Sequence, residues 1–240
     1  MCSCVRIVRM KTKTQPSPES GNVLFYILIA VALLAALSYT VASSSRGSVS
    51  MLSDDKAALY ATEIIEYGGV MANAVSQLRL RGYKDTQISF ENSVVAGYTN
   101  ANCTGDGCKV FHPSGAGVTY MAPKSEWLDS TWSADSAYAT WGFYTNNYIP
   151  EIGTSEGDLI LAVGFIDKTL CIALNNKLGV TNPSGDPPNE PGQISSEKFT
   201  GTYTALGGLE ALQGKQAGCF KNTAGALNLS YFYVQTLMAR

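Results

Sequence analysis

Few side chains in this 240-residue sequence could carry out chemistry, and the chain has one histidine. A single imidazole excludes sites that need two, such as HExxH zinc proteases and Cys2His2 fingers. It leaves His112 as the only base for a histidine-dependent triad. His112 sits in KVFHPSGAG beside a turn, with no carboxylate or thiolate partner evident in the sequence, and reads as a strand-end residue. Ser195-Ser196-Glu197-Lys198 matches the S-x-x-K spacing of penicillin-binding enzymes, yet neither S-D-N nor K-T-G follows it. Four-residue matches of this kind arise by coincidence, so the expectation is that the protein is not an enzyme. Asp186, Asn189 and Glu190 offer hard oxygens to calcium, but they lack EF-hand spacing. Their segment, NPSGDPPNEPG at 182–192, reads as a solvated loop because Pro and Gly forbid regular structure there, and no cofactor is expected.

Two further groups of residues matter for binding and covalent structure. Trp127, Trp132 and Trp141 lie in a stretch with Tyr138, Phe143, Tyr144 and Tyr148, enough aromatic surface for a sugar- or protein-binding face. Aromatics also pack strands, and the alternation around 138–144 puts one set in a core. Cys103, Cys108, Cys171 and Cys219 are an even set in the C-terminal part, as expected of disulfides in an oxidising compartment. Four cysteines allow three pairings. Asp106-Gly107, a turn dipeptide between the first two, favours Cys103–Cys108 and so Cys171–Cys219. Cys2 and Cys4 read as free thiols.

The chain is 45% hydrophobic and 15% charged, a composition that folds. Its charge is asymmetric: residues 1–22 hold Arg6, Arg9, Lys11 and Lys13 against Glu19, and the remainder is mildly acidic. An acidic body excludes a nucleic-acid surface, which needs a cationic face. Residues 23–42, VLFYILIAVALLAALSYTVA, carry no charge and at 1.5 Å per residue extend about 30 Å, the thickness of a bilayer core. Basic residues before this run keep the N-terminus cytosolic by the positive-inside rule, so a single-pass inner-membrane location is expected, with the rest exported. The rival reading is a signal peptide cleaved between Ala42 and Ser43.

A Ser-rich link over 43–52 leads to an amphipathic helix over 53–82, with Ser53 as N-cap and Gly82 as stop. Ala57, Ala61, Ile64, Gly68, Met71, Val75 and Leu78 form its apolar stripe at alternating spacings of 4 and 3. The small residues in that stripe suit close packing against a sheet, with contact to neighbouring subunits as the alternative. Beyond Gly82, residues 83–240 read as an exported, disulfide-bearing, β-rich domain of short alternating runs. Strands are expected at 109–112, 118–122, 139–144, 159–163, 199–204 and 229–234, and a short helix from Asp167 to Leu178. The expected fold class is α+β: a long N-terminal helix, half membrane-spanning and half amphipathic, packed on an antiparallel sheet.

The order of a basic leader ending in Glu-Ser-Gly-Asn at 19–22, an apolar segment from Val23 and the Ala57–Leu78 helix containing YATEIIEYGG resembles the type IV pilin and type II secretion pseudopilin superfamily. The resemblance covers about a third of the chain. It implies a pilin-like fold and cleavage by a prepilin peptidase between Gly21 and Asn22. It also implies partnership with the membrane and with other pilin-like subunits or secretion and pilus assembly proteins, in the periplasm or an extracellular filament. The family has Phe or Met at the first mature position and Glu at the fifth. Asn22 and Tyr26 stand there in this chain, which is more similar to the minor, tip-like components. The function expected is that of a non-enzymatic filament or secretion-system subunit. The alternative is a membrane-anchored exported binding module that enters no filament.

Overall fold

A computed structural model describes the backbone of residues 21–240 other than Ser196, with side chains placed over 24–38 and 54–240. The basic leader, including Cys2 and Cys4, lies outside the described residues. So does the residue before Gly21, and the side chain of Asn22 is not among those placed. The chain divides into two compact units, 1–51 and 52–240. Helix α1 has the bounds Gly21–Leu80, and the expected Ser-rich link at 43–52 is helical backbone within it.

The membrane-spanning half of the expected fold is overturned. Among the described residues no helix is long and apolar enough to cross a membrane.

In the second unit, the α1 residues from 54 onward form one side of a core. Ala57, Ala61, Ile64, Met71, Val75 and Leu78 are buried, joined by Tyr67 and Ala74. These positions recur every three or four residues, so they share one helical face. The helix stops at Gly82, whose φ of +93° suits a residue without Cβ. Gly82 N–H donates to Arg79 O (2.9 Å) and Tyr83 N–H to Leu78 O (3.3 Å), the paired bonds of a Schellman motif. Tyr83 then packs against the same core as Leu78.

That core faces a five-stranded sheet. The strands are β1 (Gly142–Tyr144), β2 (Asn147–Tyr148), β3 (Leu159–Gly164), β4 (Asn189–Glu190), β5 (Gly207–Gly208), β6 (Ala217–Asn222) and β7 (Tyr231–Met238). Their spatial order is β1-β3-β7-β6-β4, with β2 and β5 paired separately. β3 reads LILAVG and is buried at every position, because both faces of the sheet are covered. Leu159, Leu161 and Val163 meet the α1 side, while Ile160 and Ala162 join Ile149, Val180, Leu209 and Leu212 on the other. Helix α2 (Lys168–Leu178) returns to the α1 side. Asp167 Oδ1 caps it by accepting from Thr169 N–H (2.8 Å), and Gly179 ends it at φ +67°.

The class is α+β, but the sheet is mixed, not antiparallel. β1, β3, β7 and β6 are antiparallel neighbours, whereas β4 pairs with β6 in parallel and β2 with β5 in parallel. β4 falls inside the Pro-rich 182–192 segment expected to lack regular structure. It is two residues long between Pro188 and Pro191, at an edge where the missing proline N–H groups cost nothing. Backbone bonds from Lys221 N–H to Pro188 O and Thr223 N–H to Glu190 O hold it in place. Of the other expected strands, 118–122 and 199–204 are irregular, and 109–112 keeps only a single bridge between Lys109 and Ser89. Gly201, at φ +98°, breaks the run at 199–204.

Candidate assembly surface

In the first unit the placed residues of α1 are apolar on every side. Leu24, Phe25, Tyr26 and Ile27 point in four successive directions about a helix, and they are 67%, 61%, 63% and 57% exposed. Leu28, Ile29, Val31, Leu33, Leu34 and Leu37 continue the pattern, all exposed. A helix that is hydrophobic all round is normally covered, and a contiguous exposed apolar surface marks an interaction site.

The stripe farther along α1 has a different fate. Gly68 is buried where the helix meets β7, and a Cβ there would run into the Gln235 side-chain carbonyl and lie 3.2 Å from Tyr233 Oη. Tyr233 Oη in turn donates to Gln235 Oε1 (2.7 Å). Glycine therefore permits the close approach of α1 to the chain's own sheet, and the stripe is not free for a neighbour. The outward side of this part of the helix carries Leu59, Val70 and Leu80, all exposed.

Two disulfides cross-link the second unit, Cys103–Cys108 with Cα atoms 5.7 Å apart and Cys171–Cys219 with Cα atoms 5.4 Å apart. The first closes a one-turn 3-10 segment at Asp106–Cys108. The second joins α2 to β6.

The tryptophans do not gather into a face. Trp127 and Trp141 are wholly buried and meet edge to face at 6.3 Å, with Tyr67 of α1 stacked on Trp141 at 4.9 Å. Only Trp132 is partly exposed, and its ring stacks on Phe165 at 5.4 Å.

The candidate chemical groups are likewise dispersed. His112 has a carboxylate neighbour after all, Asp106 at 3.6 Å, and its Nδ1 accepts from Ser114 N–H (3.2 Å). Asp106 is held below the usual carboxylate range chiefly by its bond to Lys109, then by His112. That is a surface charge cluster without a nucleophile. Ser195 Oγ accepts from Glu197 N–H, while Lys198 Nζ donates to Ala96 O and lies 5.4 Å from the Tyr98 ring centroid. The two ends of the S-x-x-K match thus serve separate contacts, and Ser196 lies outside the described residues. The calcium candidates also part company. Asp186 pairs with Lys168 and, at 4.0 Å, with Lys221. Glu190 is buried and accepts from Gly192 N–H (2.6 Å) and Ala211 N–H (2.9 Å).

Among the described residues, two of the larger surface clefts are open ones. One of about 350 Å³ lies among Lys56, Tyr60, Glu126, Asp167 and Thr169. Another of about 620 Å³ includes Thr86, Glu156, Tyr203 and Arg240. In the latter, Arg240 stacks over Tyr203 at 4.2 Å and pairs with Asp85 and Glu156, each at 3.5 Å. Neither lining sets a nucleophile beside a base.

No family model, curated protein or solved structure matches this chain.

Sequence reasoning missed the buried polar groups that organise the second unit. Asn175, Glu190 and Asp158 are fully buried. Asp158 accepts from Ile149 N–H (3.0 Å) and Arg240 N–H (2.9 Å), and burial raises its pKa against the lowering effect of those bonds. A carboxylate buried to hold backbone N–H groups has no spacing signature, so the sequence offered no signal for it.

Proposed function

We propose that this chain is a non-enzymatic structural or assembly subunit of a bacterial envelope filament or secretion system, of the kind the pilin and pseudopilin resemblance implies. The observation that carries the reading is the helix from Leu24 to Leu37, whose apolar side chains are exposed on all sides. Apolar area of that extent is stabilised by cover at roughly 25 cal/mol per Å², and the helices of partner subunits supply it. The second unit supports the reading by having a complete core of its own, sealed by two disulfides that suit an oxidising envelope compartment. It presents contacts, not chemistry. The subunit is made with a leader that ends at Gly21 and is released to begin at Asn22.

Photocrosslinking from within 24–38 in living cells tests the proposal, since cover by partner helices yields discrete protein adducts.

A further inference from the structure

We propose that Asn228 is an N-glycosylation acceptor. The sequence contains two N-x-S/T sequons, Asn102-Cys103-Thr104 and Asn228-Leu229-Ser230, while Asn182-Pro183-Ser184 is blocked by its proline. The structure separates the two. Asn102 Nδ2 donates to Thr86 O (3.3 Å) and packs so closely on Gly201 that a Cβ there would lie 2.6 Å from it. Cys103, its middle residue, is tied into a disulfide. A sugar on Asn102 would break that packing.

Asn228 is exposed, as Asn102 is, but it is not held in that way. It lies in the connection between β6 and β7, at φ −54° and ψ 135°. Its side-chain amide makes no hydrogen bond among the described residues. The next residue, Leu229, is 59% exposed and held at φ +74°, an uncommon conformation for a bulky side chain. The turn thus presents the Asn228 amide outward beside an uncovered apolar side chain, over which a first sugar ring can lie.

In the transfer, Asn228 Nδ2 forms a bond to the anomeric carbon of a lipid-pyrophosphate-linked oligosaccharide. The bond from that carbon to the pyrophosphate oxygen breaks, lipid pyrophosphate leaves, and one amide proton passes to a base of the transferase. Ser230 is buried, with its Oγ donating to Leu227 O (2.5 Å). Transfer therefore precedes closure of the β6–β7 hairpin, and the fold then holds the glycan outside. The inference rests on the exported location in the proposed function.

The test is mass spectrometry of the full chain purified from its own cells, digested with trypsin before and after reduction. The expected result is a hexose- or hexosamine-containing mass increment on peptide 222–240, localised to Asn228, with peptide 85–109 unglycosylated. Asn228→Gln should abolish the increment, and Ser230→Thr, which keeps the hydroxyl, should retain it. Peptide 222–240 found only at its unmodified mass in chains whose two disulfides are intact overturns the proposal. Reduced cysteines would instead overturn the exported location on which it rests.

Discussion

Asn175 acts as a neighbouring strand for Cys219. Its Nδ2 donates to Cys219 O and its Oδ1 accepts from Cys219 N–H, both at 2.8 Å. β4 covers only Lys221 and Asn222 of β6, so the side-chain amide satisfies the edge that β4 leaves open. One helical turn earlier, Cys171 is bonded to the Cys219 sulfur. α2 is thus fastened to the sheet covalently and by hydrogen bonds at the same residue.

Asn175→Leu should therefore leave a buried N–H and a buried C=O unpaired and cost about 2–4 kcal/mol. Urea denaturation of the 52–240 unit checks it. A loss below about 0.5 kcal/mol would mean the edge is satisfied in some other way.

Gly68→Leu should lower the stability of the same 52–240 unit by about 1–3 kcal/mol, since the new side chain meets Gln235. Gln235→Ala should recover part of that loss in a double-mutant cycle. An unchanged melting temperature for Gly68→Leu would show that the stripe does not depend on this close approach.

Cys219→Ser should destabilise more than Cys103→Ser. The chain-entropy estimate is about 4 kcal/mol for the 48-residue separation and about 2 kcal/mol for the 5-residue one. Denaturation midpoints of the two variants give the order directly, and equal losses would contradict it.

Alkaline pH should unfold the protein as its phenols ionise. Burial raises the pKa values of Tyr67, Tyr98, Tyr203 and Tyr233 above the ordinary range and pushes Tyr144 up to about 12. Folded values above unfolded ones contribute stability that is fully present below pH ~10 and is lost as pH rises through them. Absorbance at 295 nm should show these tyrosines ionising together with the loss of circular dichroism. Full ionisation with the fold intact would contradict their burial.

How far the sequence could be read follows from where its signals were local. The 54–80 part of α1 shows its helical period and its Gly82 stop in the sequence, and helix α2 shows its period, its Asp167 cap and its Gly179 stop, whereas Ser53, expected to cap the first, lies within the helix that begins at Gly21. Strands β3 and β7 showed as apolar runs. β6, AGCFKN, did not, because its strand character comes from β7 on one side and from Asn175 on the other. β4 was hidden by prolines that matter little at a two-residue edge. The tryptophans could equally have served a core or a binding face, and only packing against Tyr67 places Trp141 inside. His112 found Asp106 through a turn closed by a disulfide, a pairing set by folding and not by spacing.

The central claim is that the exposed apolar helix is covered by partner subunits. A photoreactive diazirine side chain placed at Leu28 or Leu34 of the full chain, activated in its own cells, tests it most directly. Discrete protein adducts are expected, either dimers of this chain or one other species, with the crosslink mapping within an apolar helix of the partner. Adducts to lipid alone, from both positions, would contradict it.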